Sequence, residues 1–193
     1  LLAGCGGGDD DDDGAANRRA VVEFHAQVNG QDFTCGATYS NVGLGQPGTY
    51  QVNDWRFYVH DVELVKADGS RRALELDQDG VWQYQKVALL DLRRDCGGGA
   101  LPTNAVVAGT VANEDYTGIC FKVGVPYELN HVNDATAPSP LNSSGMLWNW
   151  RGGRKFIRID GTGAPGDVDR AVAFHIHLGS TQCPFFFNDT ATT

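Results

Sequence analysis

The sequence predicts an all-β fold: an antiparallel β-sandwich with long loops and two disulfides. Three observations point there. From Ala20 onward, short runs of alternating apolar and polar residues recur between Gly, Pro, Asn and Asp turns. The 193 residues include 25 glycines and 7 prolines, with few long helical patterns. Cys35, Cys96, Cys120 and Cys183 are spread through the chain without a CxxC spacing, which disfavours structural zinc and favours two disulfides. Four cysteines allow three connectivities, and the sequence leaves all three open.

Each element has its own signal. In AVVEFHAQV, Val22, Phe24, Ala26 and Val28 alternate with Glu23, His25 and Gln27, and Asn29-Gly30 closes the run as a turn. RFYVHDVELV sets Tyr58, His60, Val62 and Leu64 against Phe57, Val59, Asp61 and Glu63. Ala67-Asp68-Gly69-Ser70 turns the chain and RRALEL returns. VWQYQKVALLDL and TGICFKVGVP are further strands, the second ending at Pro126. Residues 128–145 form a loop long enough to be functional or packed over the body. MLWNW, KFIRID and AVAFHIHLG complete the set.

The N-terminal stretch stands apart. Leu2-Ala3-Gly4-Cys5 resembles the end of a bacterial lipoprotein signal, with cleavage expected before Cys5 and a lipid anchor on its thiol. Residues 1–18 are then a signal remnant and a Gly/Asp-rich tether, residues 19–187 the folded domain, and residues 188–193 a tail. Net charge is −9, but Asp9–Asp13 supply five of those negatives, so the remainder is mildly acidic. Without a basic stripe, nucleic acid is not an expected partner. Disulfides and a lipid anchor place the chain in the bacterial envelope, facing the periplasm from the outer membrane or the cell surface.

His175-Ile176-His177 is the sharpest chemical signal. Residues i and i+2 of a strand share a face, so two imidazoles stand side by side, with Phe174, Ile176 and Leu178 expected to pack on the other face. Such a pair suits copper or zinc. His60 lies on an apolar-leaning face, where a lone histidine is more often a core residue than a ligand. His131 opens the long loop, and His25 is the weakest candidate. Met146, Trp148 and Trp150 share one strand face, read either as packed core or as a soft, aromatic wall beside a copper site with Met146 as a ligand. No GxSxG, HExxH or P-loop is present.

Several stretches together resemble the MbnP family, described as four-cysteine proteins of a metallo-mystery pair. They are RFYVHDVELV, VWQYQKVALLDL, TGICFKVGVPYELNH, APSPLN, MLWNWRGGRKFIRIDG and FHIHLGSTQC, and they span nearly the whole domain. The resemblance implies a copper-binding envelope protein related to MopE and CorA. It also implies a dihaem partner of the MauG type, MbnH, that oxidises a tryptophan to kynurenine. On the family pattern His60, His131 and His177 match recurrent histidines, and Trp148 and Trp150 are the candidates for oxidation. His175 is an added ligand or a neighbour, Trp55 ranks low for oxidation, and Trp82 is a candidate within a strand that reads as scaffold.

The expectation is therefore a lipid-anchored copper-binding protein that is not an enzyme, with His60, His131 and His177 converging on one point. The rivals are a mononuclear copper or zinc enzyme using the HxH pair, and a metal-free structural sandwich.

Overall fold

The computed structural model describes residues 16–43, 47–94, 96, 102–149, 152–164 and 170–180. The strands are β1 (Asn17–Glu23), β2 (Gln27–Val28), β3 (Gln31–Asp32), β4 (Thr38–Val42), β5 (Gly48–Val65), β6 (Arg71–Ala73) and β7 (Glu75–Leu76). They continue with β8 (Gln83–Tyr84), β9 (Val87–Asp91), β10 (Val106–Ala112) and β11 (Gly118–Val123). A single helical turn, α1 (Tyr127–Asn130), and a 3-10 turn at Ser144–Met146 precede β12 (Leu147–Asn149), β13 (Gly153–Ala164) and β14 (Val172–Gly179). The fold is mostly strand, and all the described pairings are antiparallel.

The 18-residue β5 is the spine of the larger sheet. One edge pairs with β13 and then β11, the other with β4, β9 and β6. A smaller sheet runs β1-β10-β7. The chain passes between sheets within RRALEL, because β6 pairs with β5 while β7 pairs with β10. Leu74 lies at the crossing, and it is buried.

Two apolar cores flank the large sheet. One gathers Val59, Val62, Leu64, Leu90, Val107 and Val111 from both sheets. The other sets Tyr58, Val87 and Leu89 against Val125, Leu129, Ala137, Leu141 and Met146. The long loop is therefore packed over the second face of the sheet. The simple alternation read in RFYVHDVELV does not hold through its centre. Asp61 adopts a left-handed φ of 47°, and the register against β11 shifts between Cys120 and Lys122. This bulge puts Tyr58 and Val62 in different cores. A second difference concerns β14, where Ile176 and Leu178 are 42% and 52% exposed instead of packed.

Cys35 and Cys96 form a disulfide, one of the pairings the sequence left open. Cys120 has no disulfide among the described residues. Cys183 and Cys5 lie outside the described residues, as does Trp150.

Arg154 anchors the long loop. It is wholly buried, and its guanidinium donates to the carbonyls of Leu129 (2.9 Å), Asn130 (2.6 Å), Val132 (3.2 Å) and Leu141 (2.8 Å). The Asn130 side chain returns the contact by accepting the Arg154 backbone N–H at 2.8 Å. Asn130 sits against Gly153, where φ is +69° and a Cβ would overlap the amide, so glycine is required on both grounds. Arg154→Met keeps most of the volume but leaves these carbonyls without a donor. It is expected to cost about 3 kcal/mol or more in chemical denaturation.

Candidate metal centre

The centre is built on cross-strand register. Along one face of the large sheet, Asp91 of β9 stands opposite Arg56 of β5, which stands opposite Arg158 of β13, which stands opposite His177 of β14. In the neighbouring row, Asp54 of β5, Asp160 of β13 and His175 of β14 are opposite one another. The period of two along each strand puts every one of these side chains on the same face.

The charges interlock. Arg56 grips Asp54 with two bonds, at 2.8 and 2.6 Å, and Arg93 grips Asp91 at 2.8 and 2.7 Å. Arg158 Nε bridges Asp160 Oδ2 at 2.6 Å and Asp54 Oδ2 at 3.2 Å. Arg56, Asp54 and Asp91 are buried, so their pairing is what makes burial tolerable.

At the β14 end the ladder finishes in Asp160, His175 and His177, whose ligand atoms all lie within 4.8 Å of one another. Asp160 Oδ1 is 2.8 Å from His175 Nδ1 and 2.6 Å from His177 Nε2. Burial works to raise the carboxyl pKa, but hydrogen bonds from His175, Arg158 and His177 outweigh it and hold the group at about 2. An ionised carboxylate only accepts, so both imidazoles donate their N–H to the same oxygen. A metal ion about 2.0–2.1 Å from each ligand atom would need Asp160 Oδ1 roughly 2.9–3.4 Å from each imidazole nitrogen, a few tenths of an ångström wider than here. Two imidazole nitrogens and one carboxylate oxygen, already converging, fit a borderline divalent ion. Each ring must carry its proton on the other nitrogen when loaded.

The other sequence candidates are placed differently. His60 and His131 are not part of this group. His60 is buried in β5, four residues beyond Arg56 and two strands from β14. At about 3.3 Å per residue and 4.8 Å per strand, that is roughly 16 Å of backbone from His177. Its Nδ1 lies 3.1 Å from Asp61 without forming a hydrogen bond. Burial lowers the His60 pKa, against the pull of Asp61. His131 follows α1, with its Nε2 3.2 Å from the Asn130 amide and its ring edge-on to Tyr127. The expected convergence of His60, His131 and His177 is thus replaced by His177 with His175 and Asp160. Met146 is fully buried in the second core and serves packing. His25 is exposed beside Glu23.

Trp148, in contrast, is close to the centre and 41% exposed. Its indole lies against Gly179, where any Cβ would overlap the ring. Gly179 is two residues from His177 on the same strand, so a Cβ there would project to the histidine face. Trp55, one position from both Asp54 and Arg56, belongs to the opposite face and packs edge-on to Phe33.

Asp160 stands in no ligand motif of its own along the chain. Its signal was present in the spacing of RID, since Arg158 and Asp160 repeat the i, i+2 interval of His177 and His175. Pairing the two strands is what makes that interval meaningful.

Comparison with known proteins places this geometry in context. A family model described as MbnP matches residues 17–193. The solved structure of MbnP from Methylosinus trichosporium is similar, at 32% identity with a TM-score of 0.69, covering 86% of this chain and 64% of that chain. The chain thus spans just under two thirds of that relative's length. No curated protein matches the sequence.

A carboxyl held at about 2, below its ordinary 3.8, adds stability that is present above pH 4 and lost as pH falls through 2. Asp160→Asn removes it and is expected to cost roughly 2 kcal/mol near neutral pH. The gap between wild type and variant should close as pH falls from 4 toward 2, read from thermal midpoints across that range. A constant gap down to pH 2 would contradict the assignment.

Proposed function

The chain belongs to the MbnP family, and on that premise we propose that it is a copper-binding protein whose ligands are His175, His177 and Asp160. The observation that carries this reading is the convergence of two imidazoles and one ionised carboxylate on a single point. Among first-row divalent ions copper binds such nitrogen and oxygen donors most tightly. The paired histidines hold the ion, Asp160 supplies negative charge, and Arg158 keeps that carboxylate oriented.

Trp148 is the residue proposed for oxidation to kynurenine, because its indole lies on the strand that carries the histidine pair. The change consumes two equivalents of hydrogen peroxide, releases one ring carbon as formate with one water, and leaves the residue with one more oxygen and one fewer carbon. It yields an aryl amine and a ketone, either of which can serve a metal. A dihaem peroxidase of the MauG and MbnH type, as the family resemblance implies, would catalyse it with hydrogen peroxide as the oxidant. The role proposed is copper handling and not catalysis, in a two-sheet β-sandwich. The observed Cys35–Cys96 bond supports an oxidising compartment. A lipid anchor at Cys5 would hold the domain in the envelope.

Calorimetric titration of the purified chain with Cu(II), Zn(II) and Fe(II) tests the centre. The wild type should bind one equivalent of copper most tightly, and His175→Ala and His177→Ala should each weaken it on the order of 100-fold. His60→Ala and His131→Ala should leave affinity within a few-fold. Equal losses at all four positions, or no copper binding, would overturn the reading. Intact mass after co-expression with the dihaem partner should register the kynurenine change in wild type and lose it in Trp148→Phe.

A further inference from the structure

The Arg158 guanidinium has a second set of contacts that the copper reading does not use. Its Nη1 donates to the Gly145 carbonyl at 2.8 Å, and Lys155 Nζ donates to the same oxygen at 3.2 Å. Gly145 lies in the 3-10 turn that leads directly into β12, the strand of Trp148. A Cβ at Gly145 would overlap the guanidinium of Arg56 and lie 2.8 Å from Arg158 Nη1, so a side chain there would displace these groups. The turn before Trp148 is thus clamped onto the same charge ladder that ends in Asp160.

We propose that Arg158 is a positioning residue that couples the Asp160 carboxylate to the seat of Trp148. The contacts form a closed circuit. Asp160 Oδ2 is held by Arg158, Arg158 holds Gly145, the turn at Gly145 sets β12, the Trp148 indole rests on Gly179, and Gly179 lies on the strand of His177. Loading the centre must move Asp160 Oδ1 away from each imidazole nitrogen, from 2.6–2.8 Å to roughly 2.9–3.4 Å. With Oδ2 clamped, that adjustment passes into the guanidinium and the histidine strand, both of which touch the Trp148 segment. By linkage, disturbing the indole must change metal affinity as much as the metal disturbs the indole. The inference rests on the copper reading above, and its test is arranged so that the two fail separately.

The test uses the full chain expressed without an oxidising partner, with Cu(II) as the probe. Copper affinity is measured together with the copper-dependent change in tryptophan fluorescence, the Trp148 share being the part absent in Trp148→Phe. Arg158→Lys keeps the charge but cannot bridge two partners. It should weaken copper about tenfold, in line with other residues that orient ligands, and at least halve the Trp148 response at saturation. Gly179→Ala leaves Arg158 and all three ligands in place while displacing the indole. It should shift copper affinity several-fold, and it decides the matter if Arg158→Lys fails to fold by circular dichroism. A folded Arg158→Lys with wild-type affinity and response overturns the proposal, as does one that loses affinity but keeps the full Trp148 response. Unchanged affinity in Gly179→Ala overturns it as well. Absence of copper binding by the wild type instead overturns the reading beneath it.

Discussion

The buried guanidinium of Arg154 is the contact on which most of this architecture hangs. A long segment without strands must lie over the second face of the large sheet, and its backbone carbonyls cannot be left dry and unpaired. A planar cation with five donors answers that need for Leu129, Asn130, Val132 and Leu141 at once. Burial lowers the pKa of this group, so the carbonyls must compensate for lost water. With the segment fixed, Tyr58 reaches the Pro140 carbonyl at 2.8 Å and Met146 closes the second core. The same fixation brings Gly145 over the sheet and starts β12 beside β13.

Beside that apolar cover runs a charged row that the sheet could not otherwise tolerate. Arg56, Asp54 and Asp91 are withdrawn from water, and each is matched by bonds to an opposite charge. Such a row has little net stabilising value against an apolar substitute, because desolvation offsets most of the attraction. Its value is geometric. A guanidinium bridging two carboxylates fixes their direction, and Arg158 leaves Asp160 with one oxygen committed inward and one directed at two imidazoles. The ladder thus turns strand register into ligand orientation. The disulfide at Cys96 lies three residues beyond Arg93, at the other end of the ladder.

The polar end of this row is a nitrogen–oxygen donor set of the kind a borderline ion takes, with an aromatic residue next to it. Imidazoles supply nitrogen, the carboxylate supplies charge, and the indole on Gly179 covers the neighbouring backbone. His60 and His131 are not in this group. His60 is a buried member of the spine strand beside a bulge, and His131 is tied into the end of α1 and the loop that Arg154 holds.

The sequence alone was enough to establish the strand-rich class, the i, i+2 presentation of His175 and His177, and a long loop packed on the body. These depend on local period and turn chemistry, which are read along the chain. It named four histidines and two tryptophans as candidates without showing which of them share one place in the fold. The bulge at Asp61 reversed the facing of half a strand, and RRALEL divided between two sheets, because neither depends on local pattern. Asp160 became a ligand candidate only when β13 was placed against β14, and Trp148 a neighbour only when its ring was found on Gly179. Both are matters of which strand lies beside which, and that is decided by burying the two cores and pairing every buried charge together.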